Sequence, residues 1–367
     1  MRLTRRLATL LVLAAGPLAL APAGAGASHT DTSRPNDPLY GSQWGPGQVR
    51  VEPAWHRSVG RGAVVAIVDS GIDLDHEDLA RNVIPGNTFL DCGTQGCGNG
   101  DWQSGPPEQR DGEPHGTHVA GITAAVTDNR RGIAGVAPKA KLLAVRVLDD
   151  DGSGSFEDIA LGIRYAADHG ADVINMSLGA LPGVQGFVLT GMETAVVDAI
   201  AYASSKGVIV IAAAGNEGFP LCDEPSFDPG AICVGATDRR ELKASYSNFP
   251  VKPAFDAVAG PGGELTTIFA CGEGILSTVP AGTGGDYCGY PANKAYDEYV
   301  GTSMATPHVS GVAALLSAQG CTRAEIVQLF KTTSRQGNSE VRGVYTPAYG
   351  YGIVDADAAT QAAGTVC

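Results

Sequence analysis

Residues 63–73 read AVVAIVDSGID. Six apolar residues run without alternation, three of them valine and one isoleucine, before Asp69 and Ser70-Gly71 stop the run. A strand with one wet face alternates. An unbroken β-branched run suits a strand covered on both faces, as in a parallel sheet flanked by helices. Asp69 is thereby delivered to the carboxyl end of a buried strand. Asp before Ser-Gly is also an ordinary turn former, so position alone leaves its role open. In an open sheet of this kind, ligands and chemistry gather beyond the carboxyl ends of the strands.

Further buried runs follow at 142–148, 172–176, 208–213 and 232–235. Amphipathic stretches of helix length lie between them at 115–126, 156–168 and 192–205, and two later helices are expected at 302–318 and 324–332. This alternation predicts right-handed crossovers and an α/β fold with a mostly parallel central sheet. The 50 glycines are scattered at element ends, which suits tight loops and close backbone approach rather than disorder. No internal repeat or Pro/Ser-rich linker divides residues 36–367, which are expected to form one domain.

The first 27 residues fall outside that domain. Arg2, Arg5 and Arg6 precede an apolar run at 7–20, and Ala25-Gly26-Ala27 offers small residues for cleavage. That is the three-part pattern of a secretory signal peptide. Pro17 and Pro22 argue against a membrane anchor, and no later stretch is long and apolar enough to span a bilayer. Residues 28–35 make a short extension, and the expected product is a secreted, extracellular monomer. Loss of the leader removes three arginines and no acid, so the net charge moves from −14 to −17. Such a surface repels phosphate backbones and excludes nucleic acid as a partner. Eight cysteines fit an oxidising compartment. Pairing between sequence neighbours is expected: Cys92–Cys97, Cys222–Cys233, Cys271–Cys288 and Cys321–Cys367. Zinc at Cys92 and Cys97 would lack a second Cys/His pair.

Three more polar interruptions stand out. HGTHVAGITAAV (115–126) opens a helix on His115, whose ring can project over the strand ends. His118, one turn on, is placed to pack beneath. VIVIAAAGNEG (208–218) ends a buried strand on Asn216, an amide that is either a turn residue or a donor into the cleft. GTSMATPHVSG (301–311) puts Ser303 at the start of a nearly all-apolar helix, where free N–H groups and the positive dipole end collect. An N-cap explains one hydroxyl there, but Thr302 and Ser303 are both present. Together the four residues name a mechanism. Serine needs a base to become a nucleophile, histidine supplies it near neutral pH, a carboxylate orients the imidazole, and an amide with a backbone N–H receives an oxyanion.

In this order, DSGID, HGTHVAG, SLG, AAAGN and GTSMATPHVSG resemble the motifs of the subtilase (subtilisin-like) serine peptidases. The similarity runs from about Asp37 to GYGIVDA at 350–356. The resemblance implies a three-layer α/β/α sandwich and an endopeptidase that hydrolyses protein or peptide substrates through a seryl acyl-enzyme. A peptide ligase on the same fold and a non-catalytic binding protein are the alternatives. It implies that Asp69 orients, His115 is general base and acid, Ser303 is the nucleophile, and Asn216 completes the oxyanion hole. It further implies that Gly152, Ser153 and Gly154, with Ser177, Leu178 and Gly179, flank an extended peptide, and that Ala213, Ala214 and Gly215 line the pocket for the side chain before the cut. A structural Ca²⁺ is implied at Asp37, Asp78 and Asn129, with the carbonyls of Val126, Arg131 and Ile133; an all-oxygen set suits that ion.

Two departures from the family pattern carry expectations. Only about eight residues separate the leader from Asn36-Asp37, so folding without a covalent pro-segment is expected. The stretches at 89–114 and 259–274 read as insertions near the cleft. Residues 219–230, FPLCDEPSFDPG, should floor the main pocket; there Asp223 and Glu224 would favour a basic side chain if they face it, but in so acidic a chain they read as surface acids.

Overall fold

The strand β1 (Val64–Asp69) shows why its sequence does not alternate. Val65 and Ile67 pack into one core and Ala66 and Val68 into a second, so both faces are covered. The computed structural model describes residues 34–109, 112–180, 194–265, 271–285, 288–291 and 294–367. The first core holds α3 (His115–Ala124), α6 (Thr302–Ser317), α7 (Arg323–Thr333) and α8 (Ala356–Val366), with the short α1 (Gly45–Gln48) and α2 (Val51–Ala54) nearby. The second holds α4 (Phe156–Asp168) and α5 (Ala195–Ser205). Between the helix layers lie β1, β2 (Val83–Thr88), β3 (Lys141–Arg146), β4 (Val173–Met176), β5 (Ile209–Ala213), β6 (Ala231–Thr237) and β7 (Ala257–Pro261). They form one parallel sheet in the order β2-β3-β1-β4-β5-β6-β7. This is the expected α/β/α sandwich.

The chain builds the sheet first to one side of β1 and then, from β4 onward, to the other. The order therefore reverses at β1, and the crevice beyond its carboxyl end is the place such folds use for chemistry. Five strands follow the sequence reading within a residue or two. Two more were not legible. The strand β2 reads VIPGNT, with an irregular register between Ile84 and Asn87, and β7 ends on Gly-Pro at the sheet edge. Gly and Pro mark turns in a sequence, yet sheet edges and bulges tolerate them. The antiparallel pair β8 (Ile275–Thr278) and β9 (Tyr296–Tyr299) is polar enough to pass for loop.

The helices behave as their caps dictate. Ser155 caps α4 by accepting the Asp158 N–H, Thr322 and Glu325 form a capping box on α7, and Asp355 caps α8. The predicted helix at 192–205 is present as α5; residues 192 and 193, like the leader, lie outside the described residues. All four expected disulfides form. No helix among the described residues is long and apolar enough to cross a membrane.

Candidate active site

The carboxylate of Asp69 is fully buried at the end of β1. Its Oδ1 accepts the Ser70 N–H at 2.8 Å and lies 2.8 Å from His115 Nδ1. The pairing fixes the proton on Nδ1 and leaves Nε2 as the basic nitrogen. A close approach of α3 to β1 makes this possible: a Cβ on Gly116 would sit 2.2 Å from the Gly71 carbonyl oxygen. Ser70 Oγ ties the two elements, accepting the Gly116 N–H at 3.0 Å and donating to the Glu113 carbonyl at 2.9 Å. Glu113 closes the turn, its Oε2 accepting the His115 N–H at 2.8 Å. The two carboxylates and the imidazole lie within 4.8 Å of one another. Burial works against a charged His115, but the charge and hydrogen bond of Asp69, with Glu113, outweigh it and raise the imidazole to about 9. Glu113 is itself raised, by burial and by the charge of Asp69, while the neighbouring His115 acts in the opposite direction. His118 packs instead. Its ring stacks on Tyr299 at 4.2 Å, Nε2 lies 3.2 Å from the Asp297 carbonyl oxygen, and burial and His115 push it down to about 3.

At the start of α6 neither hydroxyl is a cap. The N-cap is Gly301 and no side chain bonds there. Thr302 donates both its N–H and its Oγ1 to Asn216 Oδ1, at 2.9 and 3.0 Å. The carbonyl end of that amide is thus occupied, and its NH₂ end is the one left for the cleft that Asn216 lines. Ser303 and Ser177 exchange bonds: Ser303 Oγ donates to the Ser177 carbonyl at 3.1 Å, and Ser177 Oγ donates to the Ser303 carbonyl at 2.8 Å. The Ser303 hydroxyl is therefore turned toward β4 rather than toward the imidazole. No acceptor among the described residues takes the Ser303 N–H.

His115 and Ser303 both line two adjoining parts of one cleft, of about 480 and 700 Å³. Gly152, Ser153 and Gly154, with Ser177, Leu178 and Gly179, line the smaller part as two facing edges. Ala213, Ala214 and Gly215 do not line it. Ala213 closes β5, and Gly215 packs against Asp223 and Asn248. Asp223 and Glu224 are not surface acids: they are 1 % and 2 % exposed, and Glu224, with Pro225 and Asp228, lines the smaller part of the cleft. The stretch at 259–274 is only partly an insertion, since β7 begins before it and ends within it; beyond β7 its Glu264, Leu265 and Glu273 line the larger part. The stretch at 89–114 is held by Arg146 at the end of β3. This fully buried guanidinium donates to the carbonyls of Ser104 and Gln109 and to Asp150 Oδ1. Arg146, Glu113 and the orienting role of Thr302 were missed from sequence. For Glu113 the signal was an acid two residues before the histidine.

The profile of the subtilase family matches residues 60–352. The chain belongs to the subtilase family. Thermitase of Thermoactinomyces vulgaris is 40 % identical over 301 residues, which is 82 % of this chain and 91 % of that protein. Subtilisin E of Bacillus subtilis is 38 % identical over 318 residues, 84 % of this chain and 69 % of the other. The solved structure of a Pseudoalteromonas arctica protease superposes with a TM-score of 0.72 at 34 % identity, covering 90 % of this chain and all of that one. This subtilase is a serine endopeptidase by its kinship, and its substrates are peptides or proteins.

A second group of this subtilase lies away from the cleft. Asp37 accepts the N–H groups of Asp128 (2.9 Å) and Asn129 (3.1 Å), while Asp78 accepts the Ile133 N–H at 2.9 Å and the Asn129 amide at 2.6 Å. Both carboxylates are buried, and burial raises Asp78 to about 7, with Asp37 adding to the effect. No hydrogen bond from the described residues reaches the carbonyls of Val126, Arg131 or Ile133. Asn129 turns its NH₂ to Asp78 while its Oδ1 accepts the Arg131 N–H at 2.7 Å, so the two buried acids and the uncommitted carbonyls are the oxygens here that suit Ca²⁺.

Proposed function

We propose that this chain cleaves peptide bonds with Ser303 as nucleophile, His115 as general base and then general acid, and Asp69 as the group that holds the imidazole. The observation that carries the reading is the 2.8 Å contact between His115 Nδ1 and the buried Asp69, made beside a serine at a helix start. Rotation of the Ser303 side chain away from the Ser177 carbonyl presents Oγ to Nε2. The imidazole takes the hydroxyl proton as Oγ attacks the acyl carbon, and returns it to the leaving amine. The Asn216 NH₂ group and the Ser303 N–H receive the oxyanion. An extended substrate lies between the edges at 152–154 and 177–179, pairing by main-chain hydrogen bonds as an added strand does. Water then releases the acyl group.

Residues 1–27 act as a secretory leader, residues 28–35 are an extension and residues 36–367 form the peptidase domain. The relatives include an extracellular protease of Xanthomonas campestris, and four disulfides suit export. Asp37, Asp78, Asn129 and the carbonyls of Val126, Arg131 and Ile133 are the residues that would hold Ca²⁺, whose charge would neutralise two buried carboxylates and fix the loop after α3. A fluorophosphonate probe tests the central claim. It should label the purified protein at Ser303, shown by mapping the modified peptide, and Ser303→Ala should abolish labelling. Label on any other residue, or none on folded protein, sinks the assignment.

A further inference from the structure

Asn216 is exposed where it lines the cleft, and the segment that carries it has already left the sheet. The pairing of β5 with β6 ends at Ala213 and Val234, and the Ala214 N–H makes one more bond, to the Val234 carbonyl at 3.0 Å. Gly215 then turns the chain at a φ of 103°. From there to Phe219 the main chain is held mostly by one fully buried side chain, Asn248. The Asn248 N–H donates to the Gly215 carbonyl at 3.0 Å. Its Oδ1 accepts the N–H groups of Glu217 at 3.1 Å and Phe219 at 2.7 Å. Its Nδ2 donates to the Ala214 carbonyl at 3.0 Å and to Glu217 Oε2 at 3.1 Å. The same Glu217 oxygen accepts the Asn216 N–H at 2.8 Å and closes the frame. These neighbours fix which way the Asn248 amide points: two N–H donors meet its oxygen, and a carbonyl and a carboxylate meet its nitrogen. Asn248 thus grips the loop on both sides of Asn216, and it fits so closely that a Cβ on Gly215 would lie 2.2 Å from Nδ2.

An oxyanion donor is useful only within about 2.7–3.1 Å of the developing charge. A misplacement of about 1 Å, even from a change remote from the chemistry, can cost about 10²-fold in rate. Thr302 sets the rotation of the Asn216 amide by occupying its Oδ1. It does not set where the Asn216 backbone stands. Two glycines at positive φ, Gly215 and Gly218, lie within two residues of Asn216, so the chain there has little stiffness of its own. The bonds to Asn248 and Glu217 supply it. Side chain and backbone of the donor are therefore held by two separate groups, one on α6 and one on the segment after β6.

Resting on the protease reading, we propose that Asn248 is a positioning residue for the oxyanion hole: with Glu217 as its link, it holds the Asn216 backbone where the amide donors meet the tetrahedral intermediate. A double-mutant cycle on a peptide anilide tests it. Asn248→Asp keeps an acceptor for the Glu217 and Phe219 N–H groups but turns an oxygen, not a donor, toward the Ala214 carbonyl and the Glu217 carboxylate. Glu217→Ala, at an exposed position, removes the acceptor of the Asn216 N–H and leaves the core untouched. Each is made alone and together with Asn216→Ala, and titration of Ser303 with a fluorophosphonate expresses kcat per competent site. Asn248→Asp should lower kcat about tenfold, short of the roughly 10²–10³ that loss of a whole donor costs in subtilisin, the enzyme from which that figure comes. KM should change by less than about twofold, since the hole acts on the transition state. Glu217→Ala should lower kcat by a smaller factor. With Asn216→Ala already in place, either substitution should change kcat by less than about twofold, because the group it positions is gone. Equal losses in both backgrounds would mark a general structural role and overturn the proposal, as would a raised KM at unchanged kcat or an unchanged kcat in both single variants. If Asn248→Asp gives no folded protein, Glu217→Ala carries the same cycle alone. Parent activity keeps the two claims apart: if peptides are cut and Ser303 is labelled but no coupling appears, only the positioning role fails. If no peptide is cut and Ser303 stays unlabelled, it falls together with the protease reading.

Discussion

At the scale of single residues, the site is a matter of which end of a polar group is left over. Asn216 is useful only because Thr302 occupies its carbonyl oxygen twice, turning the amide donors outward. Removing the donor in Asn216→Ala should lower kcat with little change in KM. The loss established for a donor of this kind in subtilisin, about 10²–10³ in kcat, is the expected size here and is taken from that enzyme. Thr302→Val keeps the N–H bond and loses the hydroxyl bond, so kcat should fall less, about tenfold, and steady-state kinetics on one peptide ranks the two. His115 supplies a second residue-scale test. A base must be neutral to accept a proton, and the imidazole is raised to about 9. Below that pH the competent fraction falls about tenfold per unit, so kcat/KM should climb through neutral pH and level off near 9. Glu113 is one of the groups holding it there. Glu113→Gln, which keeps an acceptor for the His115 N–H, should shift the midpoint of the pH–kcat/KM profile downward. An unmoved midpoint would remove Glu113 from that role.

Among the elements, the ones that carry the site were the legible ones. The β1, β4 and β5 runs are apolar because both faces are covered, and a polar residue at their carboxyl ends is conspicuous for that reason; Asp69 and Asn216 stood out as candidates in this way. Strands β2 and β7 were hidden because edge positions admit the Pro and Gly that read as turns. Glu224 was misjudged for a different reason. Composition makes an acid in an acidic chain look solvent-facing, whereas its burial depends on Ala180 and α5, which are distant in sequence. Arg146 was missed in the same way, since its partners come from the stretch at 89–114 and from Asp150. It fastens the loop that precedes His115 to the one that precedes Gly152. Arg146→Ala would remove the donor shared by the carbonyls of Leu148, Ser104 and Gln109 and by the partly exposed Asp150 carboxylate, and leaving buried acceptors unpaired costs about 1–3 kcal/mol. Denaturant melts of the disulfide-intact protein should show that loss, and KM for extended peptides should rise because both cleft edges loosen.

On the scale of the whole molecule, stability is supplied by cross-links as well as by the two cores. The Cys321–Cys367 bond closes a loop with a sequence separation of 46 and ties the end of α8 to the start of α7. Chain entropy assigns such a loop about 4 kcal/mol, so the double variant Cys321→Ser/Cys367→Ser should unfold at distinctly lower denaturant with its m-value raised by the freer unfolded chain. The Asp37–Asp78 group is the other cross-link, joining the first described turn, the segment after β1 and the loop after α3. Its two buried carboxylates repel each other, and the Ca²⁺ proposed there would favour the folded arrangement over the unfolded chain. Mass action then stabilises by about 2.7 kcal/mol when free ion exceeds Kd a hundredfold. Chelation should lower Tm, and added Ca²⁺, but not Mg²⁺ at equal concentration, should restore it because Mg²⁺ demands a tighter octahedron and sheds its water reluctantly. In Asp78→Asn the site loses one charge, so the Tm difference between chelator and Ca²⁺ should shrink while the chelated protein melts close to the chelated parent. A parent Tm indifferent to chelator would mean that the acids of this group are held by their hydrogen bonds alone.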